Sequence, residues 1–151
     1  MDEREMRLLI ENYKDNVEDL DKKKERLQEI KYNTKSTAAY GLNTGGASGG
    51  FNSKVENKVL ETIKLETEIK ELSNKIYIVD YAEKVLTKNE REIIEYIKQG
   101  FENKVSVIAK LLGSKVKRKY VFDARNRAIK KMSEYIRGIL EQKFKGDKYE
   151  I

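Results

Sequence analysis

Two amphipathic stripes of apolar residues, separated by a glycine-rich segment, constrain the fold of this chain most strongly. Within each stripe the apolar residues recur mainly at spacings of three and four, which places them on one side of an α-helix. Neither helix can bury its stripe alone, so the stripes predict an all-α fold that opens with an antiparallel, coiled-coil-like helical hairpin. The stripes consist of Met6, Ile10, Tyr13, Val17, Leu20, Leu27 and Ile30, and of Val55, Val59, Ile63, Ile69, Leu72, Ile76 and Val79.

The segment between the stripes contains five glycines and several small polar residues. This composition predicts a flexible loop. A nucleotide-binding loop is the alternative, but the order G-x-x-x-x-G-K-[ST] is missing and no strand pattern precedes it, so a linker is favoured. We predict a long helix over 1–35, the glycine-rich loop over 36–52, a second hairpin helix over 53–85, a helix-turn-helix domain over 86–145 and a tail over 146–151.

The composition argues against several functional classes. The 151 residues include no histidine and no cysteine, which removes the commonest metal ligand, the commonest general base and all thiol chemistry. We therefore expect no catalytic residues, no metal site, no cofactor and no enzymatic activity. No apolar run approaches the ~18 residues that a membrane span needs, and the first residues lack the features of a signal peptide. We expect a cytoplasmic protein with no membrane partner.

Positive charge is concentrated in the C-terminal part of the chain. Residues 1–85 contain 15 Lys and Arg against 17 Asp and Glu, whereas residues 86–145 contain 16 against 7. A basic domain attracts polyanions, because each phosphate contact releases condensed counterions and adds affinity that does not depend on sequence. A solvated basic surface without a partner is the alternative. The charge distribution favours a nucleic-acid partner.

Three further helices are predicted after Leu86. Thr87 followed three residues later by Glu90 forms a capping-box pattern that starts a helix. Gly100 ends this helix, and Gly113 ends a second, short one. Two short helices and a longer basic helix are typical of a helix-turn-helix domain, in which the last helix reads the major groove of DNA. The last helix is expected over about 117–137, with an inward side formed by Val121, Ala124, Ala128, Met132, Tyr135 and Ile136.

The outward side of this last helix carries residue types that read DNA. Arg and Lys can pair with guanine, Asn with adenine, and Asp can accept from cytosine, while other cations fix the protein on the phosphate backbone. Three alternatives remain open. Asp123 could pair with Lys119 or Arg127 four residues away, and Tyr120 and Phe122 could pack in the core. Arg125 and Arg127 could be ordinary surface residues. The predicted DNA-binding residues are Lys115, Lys117, Arg118, Lys119, Phe122, Asp123, Arg125, Asn126, Arg127 and Lys130.

Three segments resemble the region-four helix-turn-helix of sigma-70-type factors: Leu86 to Ile94, Val107 to Ser114, and Val121 with the run Arg127 to Met132. With a helical hairpin and a glycine-rich loop in front, the layout of the chain is similar to small phage-encoded, sigma-like regulators of the ArpU and RinA type. The resemblance implies promoter DNA as the ligand, late-gene activation as the role and RNA polymerase as a further partner. The interval from Gly113 to Val121 is about two residues longer than in that family.

The sequence thus predicts a transcriptional regulator that binds double-stranded DNA sequence-specifically. Its N-terminal hairpin would either form a homodimer or contact RNA polymerase. One alternative is a phage small terminase subunit, which joins a helix-turn-helix to helices that form a ring. Another is a helical protein-interaction module whose basic helix is incidental. Assembly into an octamer or larger would indicate the terminase subunit, and failure to bind any duplex at low salt would indicate the interaction module.

Overall fold

The computed structural model describes residues 1–41, 50–101, 105–113 and 115–149, with the side chains of 1–32, 55–101, 105–113 and 115–142. The predicted all-α class is confirmed for these residues, which contain helices and turns and no strand. No helix among them is long and apolar enough to cross a membrane. The helices are α1 (Glu3–Glu11), α2 (Tyr13–Gly41), α3 (Gly50–Ala82), α4 (Lys88–Tyr96), α5 (Val105–Leu112) and α6 (Arg118–Tyr149), with a 3₁₀ turn at Glu83–Val85 and a π-helical turn at Ile97–Phe101.

Several predicted boundaries differ from these helices. α2 continues to Gly41 and α3 begins at Gly50, so both ends of the predicted loop over 36–52 are helical. Residues 42–49 of that loop lie outside the described part of the chain. The predicted tail over 146–151 is helical as far as Tyr149, because α6 continues to that residue, and residues 150–151 lie outside the description.

The first 35 residues form two helices instead of one. α1 ends at Glu11, and Asn12 leaves the helical conformation with φ −90° and ψ 2°. Asp2 caps the start of α1, since its carboxylate accepts a 2.8 Å hydrogen bond from the backbone N–H of Glu5. Met6 and Ile10 are fully buried against C-terminal helices, including α6. This burial explains why the chain breaks at Asn12, although the apolar spacing runs on through it.

The chain divides into two compact units, one formed by 1–16 with 75–151 and the other by 17–74. In the first unit, α4, α5 and α6 pack together, and α1 contacts α6. Small alanines at Ala124 and Ala128 let the neighbouring helices approach α6 closely. The buried apolar core of this unit comprises Met6, Ile10, Val79, Ala82, Leu86, Ile93, Ile94, Ile97, Ile108, Ala109, Val121, Ala124, Ala128, Ile129, Met132 and Ile136.

In the second unit, ion pairs join α2 and α3, and each helix has buried apolar residues. Leu20 and Ile30 of α2 and Leu65 and Leu72 of α3 are buried. Ion pairs join the two helices at Lys23–Glu68 (3.3 Å), Arg26–Glu61 (3.2 Å) and Lys31–Glu66 (3.8 Å). The predicted stripe on α3 is wrong at Val59 and Ile63, which are exposed, and it omits Leu65, which is buried. Leu72 of the predicted stripe is buried as expected.

A buried lysine holds three carboxylates together in the first unit. The Nζ atom of Lys98 lies 2.8 Å from Glu83 Oε1, 3.1 Å from Asp80 Oδ1 and 3.2 Å from Glu95 Oε1. It also lies 4.2 Å from the centre of the Tyr13 ring, and the Tyr13 hydroxyl donates a 2.8 Å hydrogen bond to Asp80. Burial raises the pKa of Glu83, and the nearby carboxylate of Glu95 also raises it. Lys98 offsets only part of this increase, so the pKa of Glu83 is about 7.

We expect Glu83 to make the stability of the protein depend on pH. Its folded pKa lies above the unfolded value of 4.5, so its contribution is fully present below pH 4.5 and is lost as pH rises to about 7. Relative to Glu83→Gln, the wild type should lose roughly 2–3 kcal/mol of unfolding free energy between pH 5 and pH 8. Chemical denaturation of both proteins at the two pH values measures this difference. The same pH dependence of unfolding free energy in the wild type and in Glu83→Gln would contradict this expectation.

Candidate nucleic-acid interface

The turn between α5 and α6 positions the start of the basic helix. Gly113 follows α5 with φ +147°, a backbone conformation that favours glycine. The backbone N–H of Val116 donates to the carbonyl of Gly113 (3.2 Å), and that of Val121 donates to the carbonyl of Lys117 (3.3 Å). α6 therefore begins at Arg118, and the long interval between Gly113 and Val121 forms the turn and the first residues of α6. Ser114 lies outside the described residues.

α4 and α6 are joined by an ion pair between the buried Glu90 and the exposed Lys131. Lys131 Nζ lies 2.7 Å from Glu90 Oε1. The predicted capping box is present, since Glu90 also accepts from the Thr87 backbone N–H (3.1 Å) and donates its own backbone N–H to the Thr87 hydroxyl (3.3 Å). Burial alone would raise the pKa of Glu90, but the hydrogen bonds from Lys131 and Thr87 outweigh it and lower that pKa.

The predicted inward side of α6 is buried, which turns the basic side toward solvent. Val121, Ala124, Ala128 and Met132 are fully buried and Ile136 nearly so, while Tyr135 is half-buried beside Tyr81. The side chains on the opposite surface are consequently free to meet a ligand. The exposed members of the predicted site are Lys115, Lys117, Arg118, Lys119, Phe122, Asp123, Arg127 and Lys130.

The exposed cations at the start of α6 line a shallow groove. Lys115, Lys117, Lys119, Tyr120 and Asp123, with Val116, form its surface. Within the described residues, none of these lysines forms an ion pair with a carboxylate, and neither do Arg118, Arg127 and Lys130. Asp123 is likewise outside ion-pair distance of Lys119 and Arg127, so the structure lacks the alternative pairs considered from the sequence. The groove therefore contains three lysines and one carboxylate, Asp123, and keeps a net positive charge.

Both aromatic residues of the basic run are exposed. The side chain of Tyr120 is 41% exposed and that of Phe122 is 47% exposed, although the sequence left open a position in the core. The guanidinium of Arg125 lies over the Phe122 ring at 5.0 Å from its centre. An aromatic ring with a flat cation above it offers a surface on which a base or a thymine methyl can pack.

Arg125 and Asn126 lie apart from the groove, on the side of α6 that faces α1. Arg7 of α1 donates a 3.4 Å hydrogen bond to Asn126 Oδ1, and both Asn126 and Arg125 are half-buried. Burial lowers the pKa of Arg125, and repulsion from Arg7 lowers it further, although an arginine remains charged at any physiological pH. The groove therefore contains four of the ten predicted residues, and Arg125 and Asn126 lie outside it.

Arg7 is a candidate functional residue that sequence reasoning missed. It is exposed and adds a cation beside Asn126, 119 residues away in the sequence. The sequence analysis placed Arg7 on the hairpin because the apolar spacing of α1 continues into α2. Only the break at Asn12 separates the two helices, and nothing in the apolar pattern marks it.

No family model, no curated protein and no solved structure matches this chain. The geometry of the basic surface is thus the basis for assigning a function.

Proposed function

We propose that this protein is a transcriptional regulator that binds double-stranded DNA sequence-specifically, with α6 in the major groove. The single observation that carries the proposal is the set of exposed cations at the turn before α6 and along its outer side, none of which forms an ion pair with a described carboxylate. Such a surface can replace condensed counterions along a phosphate backbone. Because it lies on one rigid helix fixed by a buried core, its residues can keep one register on the duplex.

The arrangement of the helices supports a helix-turn-helix within this proposal. α5, the turn after Gly113 and α6 follow one another in the order of that motif, and α4 packs against α6 as a bracing helix. The ion pairs between α2 and α3 and the buried apolar residues on both helices support the helical hairpin in front of it. We propose the cytoplasm of a bacterial host cell as the location and RNA polymerase as a further partner, as the resemblance to phage or prophage regulators implies.

Within the site we assign two kinds of role. Lys119 and Asp123 lie on the outer side of α6 and line the same groove, so we assign them to base edges. Lys115 and Lys117 come from the turn, and Arg127 and Lys130 lie further along α6; we assign these four to the phosphate backbone. Phe122 is exposed beside Arg125 and is assigned to contact with a thymine methyl or a base face.

Two matched lysine substitutions test this division of roles. Lys119→Ala should weaken binding to the preferred duplex by about 10-fold to 100-fold while leaving non-specific binding much less affected. Lys130→Ala should weaken binding to preferred and scrambled duplexes equally and reduce the salt slope by about one unit. Fluorescence anisotropy with both duplexes over a range of salt concentrations measures these quantities. Equal losses on both duplexes for both variants would overturn the assignment of Lys119.

A further inference from the structure

The outer side of α3 presents an apolar patch to solvent within the second unit. Val59, Leu60 and Ile63 are 51%, 64% and 55% exposed. The other side of α3 is occupied, since Leu65 and Leu72 are buried and Glu61 and Glu68 pair with residues of α2. Neighbouring large apolar side chains on one exposed helix face are typical of an interaction surface.

The charges around this patch are arranged symmetrically about Ile63. Glu56 lies seven residues before Ile63 and Lys70 lies seven residues after it. Seven residues are close to two helical turns, so the three side chains lie on one line along α3, with each charge about 10 Å from Ile63. Glu56 and Lys70 are both exposed, and neither forms an ion pair with another described residue.

We propose that this face binds the same face of a second copy of the chain, with the two α3 helices antiparallel and a two-fold axis at Ile63. Ile63 then packs against the partner's Ile63, and Glu56 lies opposite the partner's Lys70, which gives two equivalent ion pairs. Val59 lies opposite the partner's Thr67. A two-fold interface requires one self-complementary surface, and an apolar centre flanked by opposite charges meets that requirement.

The charge pattern selects the antiparallel arrangement over a parallel one. A parallel pair in register would set Glu56 against the partner's Glu56 and Lys70 against the partner's Lys70, which is unfavourable for both charges. The stripe from Glu56 to Lys70 extends over about 21 Å of helix. This inference rests on α3 alone and does not depend on DNA binding, so each can fail without the other.

Cysteine cross-linking tests the position of the two-fold axis, because the chain contains no cysteine of its own. Under mild oxidation Ile63→Cys should form a covalent dimer, since the axis brings a residue against its own copy. Lys24→Cys, at an exposed position of α2, is the control and should remain largely uncross-linked. A mixture of Val59→Cys and Thr67→Cys proteins should cross-link more than either variant alone. Equal cross-linking of Ile63→Cys and Lys24→Cys would overturn the proposal.

The unmodified protein and a charge exchange provide an independent test. Light scattering of the wild type should give twice the 17.6 kDa of one chain. Glu56→Lys and Lys70→Glu should each weaken the dimer by about tenfold or more, because each change converts both symmetric ion pairs into repulsions. The variant with both changes should restore the dimer, because each position then again faces the opposite charge. A monomeric wild type, an octamer or larger assembly, or a double variant no better than the single ones would each overturn this interface.

Discussion

Replacing Lys115, Lys117, Lys119 and Lys130 together by alanine is expected to weaken binding to any DNA duplex by about a thousandfold near 0.1 M salt. Each phosphate contact contributes nearly tenfold to affinity at that concentration, because the observed constant falls with a slope of about 0.9 per contact. Three of the four lysines, Lys115, Lys117 and Lys130, are assigned to phosphates, so the same variant should reduce the salt slope by about 2.7. The protein should remain folded, since all four side chains are exposed.

The control for this variant removes the same charge from elsewhere on the surface. Lys22, Lys24, Lys64 and Lys75 are also exposed and form no ion pair with the described residues. Their joint replacement by alanine should change duplex affinity much less, because the attraction between exposed charges is screened beyond about 10 Å at 0.1 M salt. Equal losses from the two quadruple variants would show that net charge, and not the α6 surface, drives binding.

Lys98→Ala removes a buried cation and is expected to lower the free energy of unfolding more than any other substitution described above. Burial opposes its charge, but the contacts with Glu83 and Asp80 outweigh burial and raise the pKa of Lys98. Lys98→Ala leaves the buried Glu83 without its counter-charge beside two half-exposed carboxylates, Asp80 and Glu95. Breaking a buried ion pair on one side destabilises proteins by about 3–5 kcal/mol, and solvent around Asp80 and Glu95 places this case at about 3 kcal/mol.

Chemical denaturation at pH 8 and pH 5 measures the effect of Lys98→Ala. The loss should be smaller at pH 5, because Glu83 is then protonated and leaves no buried charge uncompensated. Lys75→Ala, an exposed position in the same unit, is the control and should change stability by less than about 0.5 kcal/mol. Adding Glu83→Gln to Lys98→Ala should recover part of the loss at pH 8. A Lys98→Ala variant as stable as Lys75→Ala would contradict this account of the cluster.

Features that depend on local interactions were predictable from the sequence. The Thr87–Glu90 capping box joins residues three apart, and its hydrogen bonds are present in the structure. The positive φ of Gly113 likewise follows from the freedom of glycine at a helix end. The inward side of α6 was identified because a helix of that length buries a single apolar stripe, and Val121 and Met132 are fully buried.

Features that depend on packing between distant segments were not predictable in the same way. The apolar spacing is the same in α1 and α2, so it cannot show that Met6 and Ile10 pack with the C-terminal helices. The contact of Arg7 with Asn126 follows from that packing and was missed for the same reason. Apolar residues lie on two sides of α3, and the sequence alone does not show which side packs against α2. In the structure Leu65 is buried and Ile63 is exposed.

Selection of DNA fragments by the purified protein from a random duplex library tests the central claim most directly. If α6 reads base edges, sequencing of the bound fragments should reveal one enriched motif, and the protein should bind that motif at least about a thousandfold more tightly than scrambled DNA. Lys119→Ala should lose preference at one position of the motif and keep the rest. Fragments with no enriched motif, or no binding to any duplex at low salt, would contradict a sequence-specific DNA-binding function.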